Sequence, residues 1–276
     1  MDADTTSHRA TAPAVRWRSA ARRALESVPV FGGALYRLYL RASQGEGRVI
    51  VIHEGPLAGL KLRRAREITP VLPDLISGGY EVECLERLGQ ALQPGYVMYD
   101  VGAHAGLYAM FGARLVGPSG RVVAVEAHPG NAAHVRGGLA LNQISNCTVV
   151  CAAISDRVGQ SHLFDSGNSS MFQLAEVSST AVQRGLAVET TTLEHLARRY
   201  GDPDVIKIDI EGAEALALRG AEPLLRRKRP VLLIEVHTAE LANEVHPFLH
   251  EIGYQITTLN GEEVPDSSWH RFILAR

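Results

Sequence analysis

From residue 96 to the C-terminus the chain switches repeatedly between two hydrophobic patterns. Short, continuously apolar stretches predict buried strands, and longer stretches with apolar residues three or four positions apart predict amphipathic helices. Strands that alternate with helices imply right-handed crossovers and a mostly parallel sheet covered on both faces. The predicted strands are YVMYDV, RVVAVEA, CTVVCAAI, DVIKIDI and PVLLIEV, and the predicted helices cover residues 106–116, 129–142, 213–227 and 239–252.

Other segments complete this outline. Residues 254–260 and 270–276 both read as strands and have no helix between them, so we expect them to pair antiparallel at an edge of the sheet. The result is a parallel sheet with one reversed strand. We also predict two short strands around a turn in 48–64, a helix in 81–92, a hairpin with a loop in 159–174, and a strand leading into a short helix in 188–200.

Composition narrows the class of protein. The chain has 276 residues, of which 46% are hydrophobic and 21% charged, as expected for one globular domain with a modest extension. The net charge of -2 gives no overall attraction to nucleic acid. Cys84, Cys147 and Cys151 match neither a metal-binding pair nor a disulfide framework, which favours a reducing, cytoplasmic location. No apolar run approaches the roughly 18 residues of a membrane span.

The first 45 residues are rich in Arg, with Trp17, Phe31, Tyr36 and Tyr39 interspersed. We expect a tail followed by a helix that packs on the main domain, because termini are commonly poorly ordered. The alternative is a basic amphipathic helix that contacts a membrane surface or a partner. The predicted division is an extension over 1–78, with a basic helical segment and a small β-hairpin, and a main domain over 79–276.

Candidate chemistry begins in the stretch DVGAHAG, residues 100–106, where the first strand of the alternating region ends. Gly102 and Gly106 bracket the following turn, and their missing Cβ atoms would let a ligand approach the backbone. The dinucleotide fingerprint G-x-G-x-x-G fails here, because His104 and Leu107 replace its second and third glycines. Asp100 favours a ligand that carries a positive group or hydrogen-bond donors. A tight structural turn is the alternative.

The next strand ends at Glu126. An acid about twenty residues after such a glycine turn can accept hydrogen bonds from both hydroxyls of a ribose. A ribose combined with a cationic group describes S-adenosylmethionine, whose sulfonium and ammonium are positively charged. Asp100 would then face its methionine side, directly or through water. Glu126 could instead cap the following helix.

Longer stretches resemble the FkbM family of S-adenosylmethionine-dependent methyltransferases. The similarity covers roughly residues 78 to 238 and includes YEVE, DVGAHAGLYAM, GRVVAVEAHPGN, AAISDRVG, NSSM, VETTTLEHL, VIKIDIEGAEALALRGAEPLL and RPVLLIEVH. The resemblance implies a class I, Rossmann-like methyltransferase fold: a mostly parallel seven-stranded sheet with one antiparallel edge strand. It also implies O-methylation of small hydroxylated acceptors such as sugars or polyketide-type metabolites. His104 departs from the Asn usual in the family.

The residues and the resemblance together give a set of candidate cofactor-binding positions. Ala153 and Ser155 are included on resemblance alone, since such folds flank adenine in that region. Asn168, Ser169 and Ser170 could reach the cofactor or acceptor, or could simply form turns. The candidate set is Glu81, Asp100, Gly102, Ala103, His104, Gly106, Glu126, Ala127, Ala153 and Ser155.

The fourth and fifth strands of the alternating region end in candidate catalytic residues. Lys207 and Asp209 share one face of their strand, and a lysine among apolar residues needs a partner such as Asp209. Glu235 and His237 share a face of the neighbouring strand, so we expect both to converge on Asp209. The set could deprotonate a hydroxyl, with His237 or a carboxylate as general base. Asp209, Glu235 and His237 could alternatively hold a divalent ion.

Several of these residues, and their neighbours, could instead have ordinary structural roles. Glu211 and Glu214 begin the following helix, where acids interact favourably with the helix dipole. His237 could be a solvated helix cap. Two rival functions are an NAD-linked oxidoreductase, which the broken glycine fingerprint disfavours, and a non-catalytic module that binds S-adenosylmethionine. The identity of the acceptor and the oligomeric state, a homodimer being one possibility, cannot be predicted from these patterns.

Overall fold

The computed structural model describes residues 47–65, 68–165, 172–175, 185–265 and 268–276. The predictions for the Arg-rich N-terminal segment and for Asn168, Ser169 and Ser170 lie outside these residues. The strands are β1 Val49–Val51, β2 Lys61–Arg63, β3 Val97–Val101, β4 Arg121–Glu126, β5 Cys147–Cys151, β6 Ala153–Ile154, β7 Gly159–Asp165, β8 Phe172–Ala175, β9 Leu186–Thr191, β10 Val205–Ile208, β11 Val231–Glu235, β12 Ile256–Thr258 and β13 Phe272–Ala275. The helices are α1 Leu72–Ser77, α2 Val82–Ala91, α3 Leu107–Val116, α4 Pro129–Leu141, α5 Leu193–Tyr200, α6 Glu214–Gly220, α7 Glu222–Lys228 and α8 Ala239–Glu251.

Seven strands form the main sheet, in the order β12-β13-β11-β10-β3-β4-β5. Strands β11, β10, β3, β4 and β5 are parallel, and β13 is antiparallel to both β11 and β12. The predicted class I methyltransferase-like fold is confirmed, including the antiparallel pairing of the last two strands. The reversed strand β13 lies one position inside the edge, because β12 occupies the edge itself.

Strands β4 and β5 lie on one side of β3 in the sheet. Strands β10 and β11, which come later in the sequence, lie on its other side. The strand order therefore reverses between β3 and β10, and open sheets of this kind bind ligands beyond the carboxyl ends of the strands at such a point. Asp100 and Lys207 are directly opposite each other in this parallel pair. The topology thus concentrates chemistry at the junction of these two strands.

Each face of the sheet has its own apolar layer. One contains side chains of α5 to α8, such as Leu196, Leu218 and Val245, packed on Tyr99 and Ile208. The other is formed by side chains from the β1–β2 hairpin, α2, α3 and α4 on the opposite face of the sheet. This three-layer arrangement explains the continuously apolar strands, since both faces of the sheet are covered.

Two predicted elements are divided in the structure. The stretch CTVVCAAI forms β5 in the main sheet and β6 in a second sheet of order β6-β9-β7-β8, because the chain changes sheets at Ala152. The predicted helix over 213–227 is two helices, α6 and α7, joined at Ala221. Pro223 explains this division, since proline lacks the N–H that would continue the first helix and is tolerated in the first turn of the next.

Among the residues described, no helix combines the length and apolar character needed to cross a membrane. Cys84, Cys147 and Cys151 are all free thiols.

Candidate active site

A cleft opens beyond the carboxyl ends of β3, β4, β10 and β11. The turn after β3 and the residues after β4 and β10 line this cleft. Small and aliphatic side chains from β6 and β7 also line it. Among the ionisable side chains on its wall are five carboxylates and two basic groups: Glu81, Glu126, Asp209, Glu211, Glu235, Lys207 and Arg271. The cleft is therefore acidic, and it lies at the switch point where this topology binds ligands.

The glycines of the turn after β3 are required by packing. Gly102 has φ +81°, and a Cβ placed there would lie 1.8 Å from the backbone oxygen of Asp209. Gly106 has φ +79°, and its Cβ would lie 3.0 Å from Cγ1 of Val135 in α4. Gly102 contributes to the cleft wall and Gly106 does not. Their physical role is thus close contact within the protein, in addition to any approach by a ligand.

Glu126, the last residue of β4, links the turn to the start of α4. Its Oε2 accepts a hydrogen bond from the backbone N–H of His104 at 2.7 Å. Its Oε1 accepts one from the backbone N–H of His128 at 2.9 Å and a longer one from Asn131 Nδ2 at 3.4 Å. Glu126 as a whole is 7% exposed and lines the cleft. Since a carboxylate offers about four acceptor positions, Glu126 retains capacity for a ligand hydroxyl.

Lys207 is buried beneath the cleft between two carboxylates. Its Nζ donates to Asp209 Oδ2 at 3.0 Å and to the Gly102 carbonyl oxygen at 3.4 Å, and lies 3.9 Å from Asp100 Oδ1. Burial opposes the charge of Lys207, but the Asp209 and Asp100 charges raise its pKa above the usual value. Burial also raises the pKa of Asp209, but the Lys207 charge and hydrogen bond hold that pKa below its usual range. Both groups are therefore charged at neutral pH.

Asp100 lies under the cleft wall. Its side chain is fully buried, and burial raises its pKa to about 6 against the opposing charge of Lys207. This carboxylate does not reach the cleft surface, so it cannot contact a cofactor directly in this conformation. Asp100 instead positions Lys207, its partner on the neighbouring strand.

Tyr108 connects the cleft wall to Glu81 at the start of α2. Its hydroxyl donates a hydrogen bond to Glu81 Oε2. Burial and the Glu81 charge raise the pKa of Tyr108 well above its usual range, so the phenol stays protonated. Lys207 Nζ lies 4.9 Å from the centre of the Tyr108 ring, a cation–π distance. Glu81 has φ +39°, a left-handed conformation that non-glycine residues rarely adopt.

Four carboxylates surround His237. Its Nδ1 lies 3.1 Å from Glu214 Oε1, and its Nε2 lies 3.2 Å from Glu211 Oε2, 3.4 Å from Asp209 Oδ1 and 3.7 Å from Glu235 Oε1. Burial opposes protonation, but the hydrogen bond and charge of Glu214, with the charges of Glu211 and Asp209, raise the pKa of His237 to about 9. The imidazole is therefore protonated at neutral pH, which argues against it as the general base.

Glu214 fixes the orientation of this imidazole. The side chain is fully buried and accepts hydrogen bonds from the backbone N–H groups of Ile210 at 3.1 Å and Gly212 at 2.9 Å. The same carboxylate holds the turn after β10 and contacts His237 Nδ1. Glu214 is thus a positioning residue, and its contacts extend well beyond the helix-start role that the sequence predicts.

Glu235 is paired with Arg271 next to β13. The Nε and Nη2 atoms of Arg271 both lie 2.7 Å from Glu235 Oε1. Burial and the Asp209 charge nevertheless raise the pKa of Glu235 above its usual value. The set of Asp209, Glu235 and His237 stays a prediction, and in the structure Glu235 Oε1 also contacts Arg271. The His, Asp and Glu side chains that converge are Asp209, Glu211 and His237.

The structure brings most of the predicted site residues together. The cleft wall contains Glu81, Gly102, Ala103, His104, Glu126, Ala127, Ala153, Lys207, Asp209 and Glu235. His237 adjoins the wall through its contacts with Asp209 and Glu211. Ser155 is not part of the wall, and its Oγ donates to Asp156 Oδ1 at 3.2 Å. Asp100 and Gly106 do not line the cleft, although both lie next to residues that do.

Several residues of the cleft wall escape the sequence patterns. Tyr108 and Glu211 lie inside stretches recognised for other residues, so their positions were visible while their roles were not. Arg271 follows a polar turn near the C-terminus, and its pairing with Glu235 depends on the register of β13 against β11. Tyr80 and Asn131 also line the cleft.

Residues 100–256 match the Methyltransferase FkbM domain family. No curated protein matches the chain. Among solved structures, the methyltransferase FkbM from Methylobacillus flagellatus KT is 18% identical with a TM-score of 0.48, over 66% of this chain and 43% of that one. The chain thus spans less than half the length of that protein.

Two further solved structures show a similar degree of likeness. A precorrin-6y C5,15-methyltransferase from Geobacter metallireducens GS-15 is 17% identical with a TM-score of 0.43, over 71% of this chain and 85% of that one. An S-adenosylmethionine-dependent O-methyltransferase from Thermotoga maritima is 14% identical with a TM-score of 0.42, over 84% and 77% respectively. The family match covers more than half of the sequence, and on that basis the chain belongs to the FkbM family of S-adenosylmethionine-dependent methyltransferases.

Proposed function

We propose that this protein transfers the methyl group of S-adenosylmethionine to a hydroxyl oxygen of a small molecule of sugar or polyketide type. The observation that carries the proposal is the acidic lining of the cleft, where five carboxylates accompany the cationic side chains of Lys207 and Arg271. This lining suits a cationic cofactor and a neutral acceptor that must lose a proton. An amine in the same surroundings would be held in its protonated form, which has no lone pair for attack.

The cleft has features that suit the cofactor. Glu126 has hydrogen-bonding capacity for ribose hydroxyls, and the side chains of Val125, Ala153, Ile154 and Leu163 offer an apolar surface for the adenine. The backbone of the turn at residues 102–105 lies alongside. When bound, S-adenosylmethionine supplies a methyl carbon on a positively charged sulfur, and the C–S bonding electrons remain on sulfur after transfer.

Asp209 and Glu211 are the proposed proton acceptors. Asp209 is ionised and offers Oδ1, since Lys207 occupies Oδ2. Burial raises the pKa of Glu211, which makes this carboxylate the better base of the two. As the acceptor oxygen attacks, its O–H bond breaks and the proton passes to this pair. Lys207, Glu214 and His237 hold the pair in place, and alignment of the acceptor provides the remaining rate enhancement.

An isotope experiment tests the proposal. The protein is incubated with S-adenosylmethionine carrying a carbon-13 methyl group and a panel of sugars and polyketide lactones with free hydroxyls. We expect a methyl ether in the carbon-13 spectrum with at least one acceptor, and none when the matching deoxy compound replaces it. Formation of only N-methyl or C-methyl products would contradict the proposal. Binding of S-adenosylhomocysteine without turnover across the panel would favour a non-catalytic module.

A further inference from the structure

We infer that Asp209, Glu211 and His237 form a binding site for one divalent metal ion at the edge of the cleft. Asp209 Oδ1, Glu211 Oε2 and His237 Nε2 are the ligand atoms, and binding of the ion displaces the proton that Nε2 otherwise carries. Their catalytic role rests on the proposed hydroxyl methylation, whereas binding of the ion does not depend on it.

The geometry of the three atoms supports a shared ligand. The metal-ligand atoms of the three residues lie within 4.8 Å of one another. The two measured separations from His237 Nε2 are 3.2 Å to Glu211 and 3.4 Å to Asp209. Ligand atoms bound at about 2.1 Å to one ion lie roughly 3 to 3.5 Å apart. Glu211 Oε2 is buried and makes no hydrogen bond within the described part of the chain, although it is 3.2 Å from the imidazole.

The imidazole is oriented as in many metal sites. Glu214 contacts Nδ1, so Nε2 is the nitrogen directed at Asp209 and Glu211. A carboxylate on the second nitrogen of a metal-binding histidine fixes the ring and increases its basicity. Glu214 is itself held by the backbone N–H groups of Ile210 and Gly212. The ring therefore has little freedom to turn away from the site.

Charge in the cleft also favours a cation. Lys207 compensates one oxygen of Asp209, and Arg271 compensates Glu235. Asp209 Oδ1 and Glu211 Oε2 remain directed at the edge of the imidazole. Mixed imidazole and carboxylate ligation suits Mn²⁺ or Zn²⁺ better than Mg²⁺, which prefers oxygen ligands. An ion held there would bind the acceptor hydroxyl and make it more acidic, and the proton would pass to a carboxylate oxygen that the ion does not occupy.

Metal titrations of the purified full chain test this inference without any assay of activity. After removal of metals with EDTA and dialysis, Mn²⁺ binding is followed by the loss of the free-ion EPR signal and Zn²⁺ binding by calorimetry. We expect one saturable site for at least one of the two ions. Glu211→Gln and His237→Ala should each weaken it at least tenfold. The exposed Glu244→Gln, which removes the same charge from α8, should leave it unchanged.

Glu235→Gln distinguishes the two possible ligand sets and should weaken binding less than threefold. Absence of a saturable site for both ions would overturn the inference. Wild-type affinity in Glu211→Gln, or an equal loss in Glu235→Gln, would also overturn it. Circular dichroism verifies that each variant is folded, and Glu211→Gln keeps the size of this partly buried side chain. Binding of S-adenosylhomocysteine, measured on the same samples, separates failure of the metal site from failure of the proposed function.

Discussion

Lys207 and Asp209 form a buried ion pair at the carboxyl end of β10, with Nζ 3.0 Å from Oδ2. Only 8% of the lysine side chain is exposed, and Asp100 lies 3.9 Å away on its other side. Lys207 thus compensates the charges of two carboxylates, Asp100 beneath the cleft and Asp209 on its wall. This arrangement explains how a lysine is tolerated within an otherwise apolar strand.

Replacement of Lys207 by Met should strongly destabilise the protein, because it leaves the buried Asp100 and the partly buried Asp209 without their cation. Removal of one partner from a buried pair costs about 3–5 kcal/mol. Urea unfolding followed by circular dichroism measures the loss. Arg226→Met breaks an exposed pair with Glu222 and serves as control, with an expected cost of about 0–1 kcal/mol. Equal losses in the two variants would show that the buried pair has no special role.

Gly102→Ala should be among the most damaging single substitutions. The new Cβ would meet the backbone oxygen of Asp209, and φ is +81°. We expect a loss of more than about 3 kcal/mol in the free energy of unfolding, because neither backbone segment can yield. Gly117→Ala is the matched control, since φ is +67° with nothing within 4 Å of the added atom. It should cost less, about 1–3 kcal/mol, which is the strain of its positive φ combined with a ψ of −175°.

Glu126→Ala should weaken binding of S-adenosylhomocysteine. The change removes a charged acceptor from the cleft and releases the backbone N–H groups of His104 and His128. Hydrogen bonds to charged groups contribute about 1.5–3 kcal/mol, so the dissociation constant should rise roughly tenfold to a hundredfold. Isothermal titration calorimetry provides the measurement. Glu189→Ala, which removes an exposed acid on β9, should bind like wild type, and an unaffected Glu126→Ala would exclude the ribose role.

His237 should make stability depend on pH in a defined direction. Its pKa rises from 6.5 to about 9 on folding, so the folded state binds more protons than the unfolded state between these values. The resulting stabilisation is complete below about pH 6.5 and is lost as pH rises through 9. We expect roughly 1–3 kcal/mol of loss across this window, allowing for solvent screening.

Urea titrations at several pH values in EDTA measure this dependence. His237→Gln should flatten the profile between pH 6.5 and 9. His270→Gln replaces a histidine near the C-terminus instead, and its profile should match wild type. Identical profiles for wild type and His237→Gln between pH 6.5 and 9 would contradict a raised pKa of His237 in the folded protein.

The parallel sheet and its switch point follow directly from the hydrophobic pattern, because buried strands and crossover helices leave different periodicities. The acids that end the strands were also predictable, since the carboxyl ends of parallel strands share one edge of the sheet. The division at Ala152 was not, because both sides of it are equally apolar and only tertiary contacts assign β6 to the second sheet. Pro223 did offer a local signal for the break between α6 and α7.

The assignment of roles within the site depended on geometry that no local pattern encodes. Glu211 has φ +55°, a backbone conformation that directs its carboxylate toward His237 and that helix periodicity does not predict. Arg271 reaches Glu235 through the pairing of two strands 36 residues apart in sequence. The protonation of His237 depends on Glu214, Glu211 and Asp209, which follow a different strand, so its unsuitability as a base emerges only from the folded arrangement.

A crystal structure with bound S-adenosylhomocysteine tests most directly whether the acid-lined cleft holds the cofactor between Glu126 and Asp209. We expect the ribose hydroxyls at the carboxylate of Glu126 and the sulfur directed toward Asp209 and Glu211. A nucleoside bound away from both carboxylates, or with its sulfur turned away from Asp209, would contradict the account.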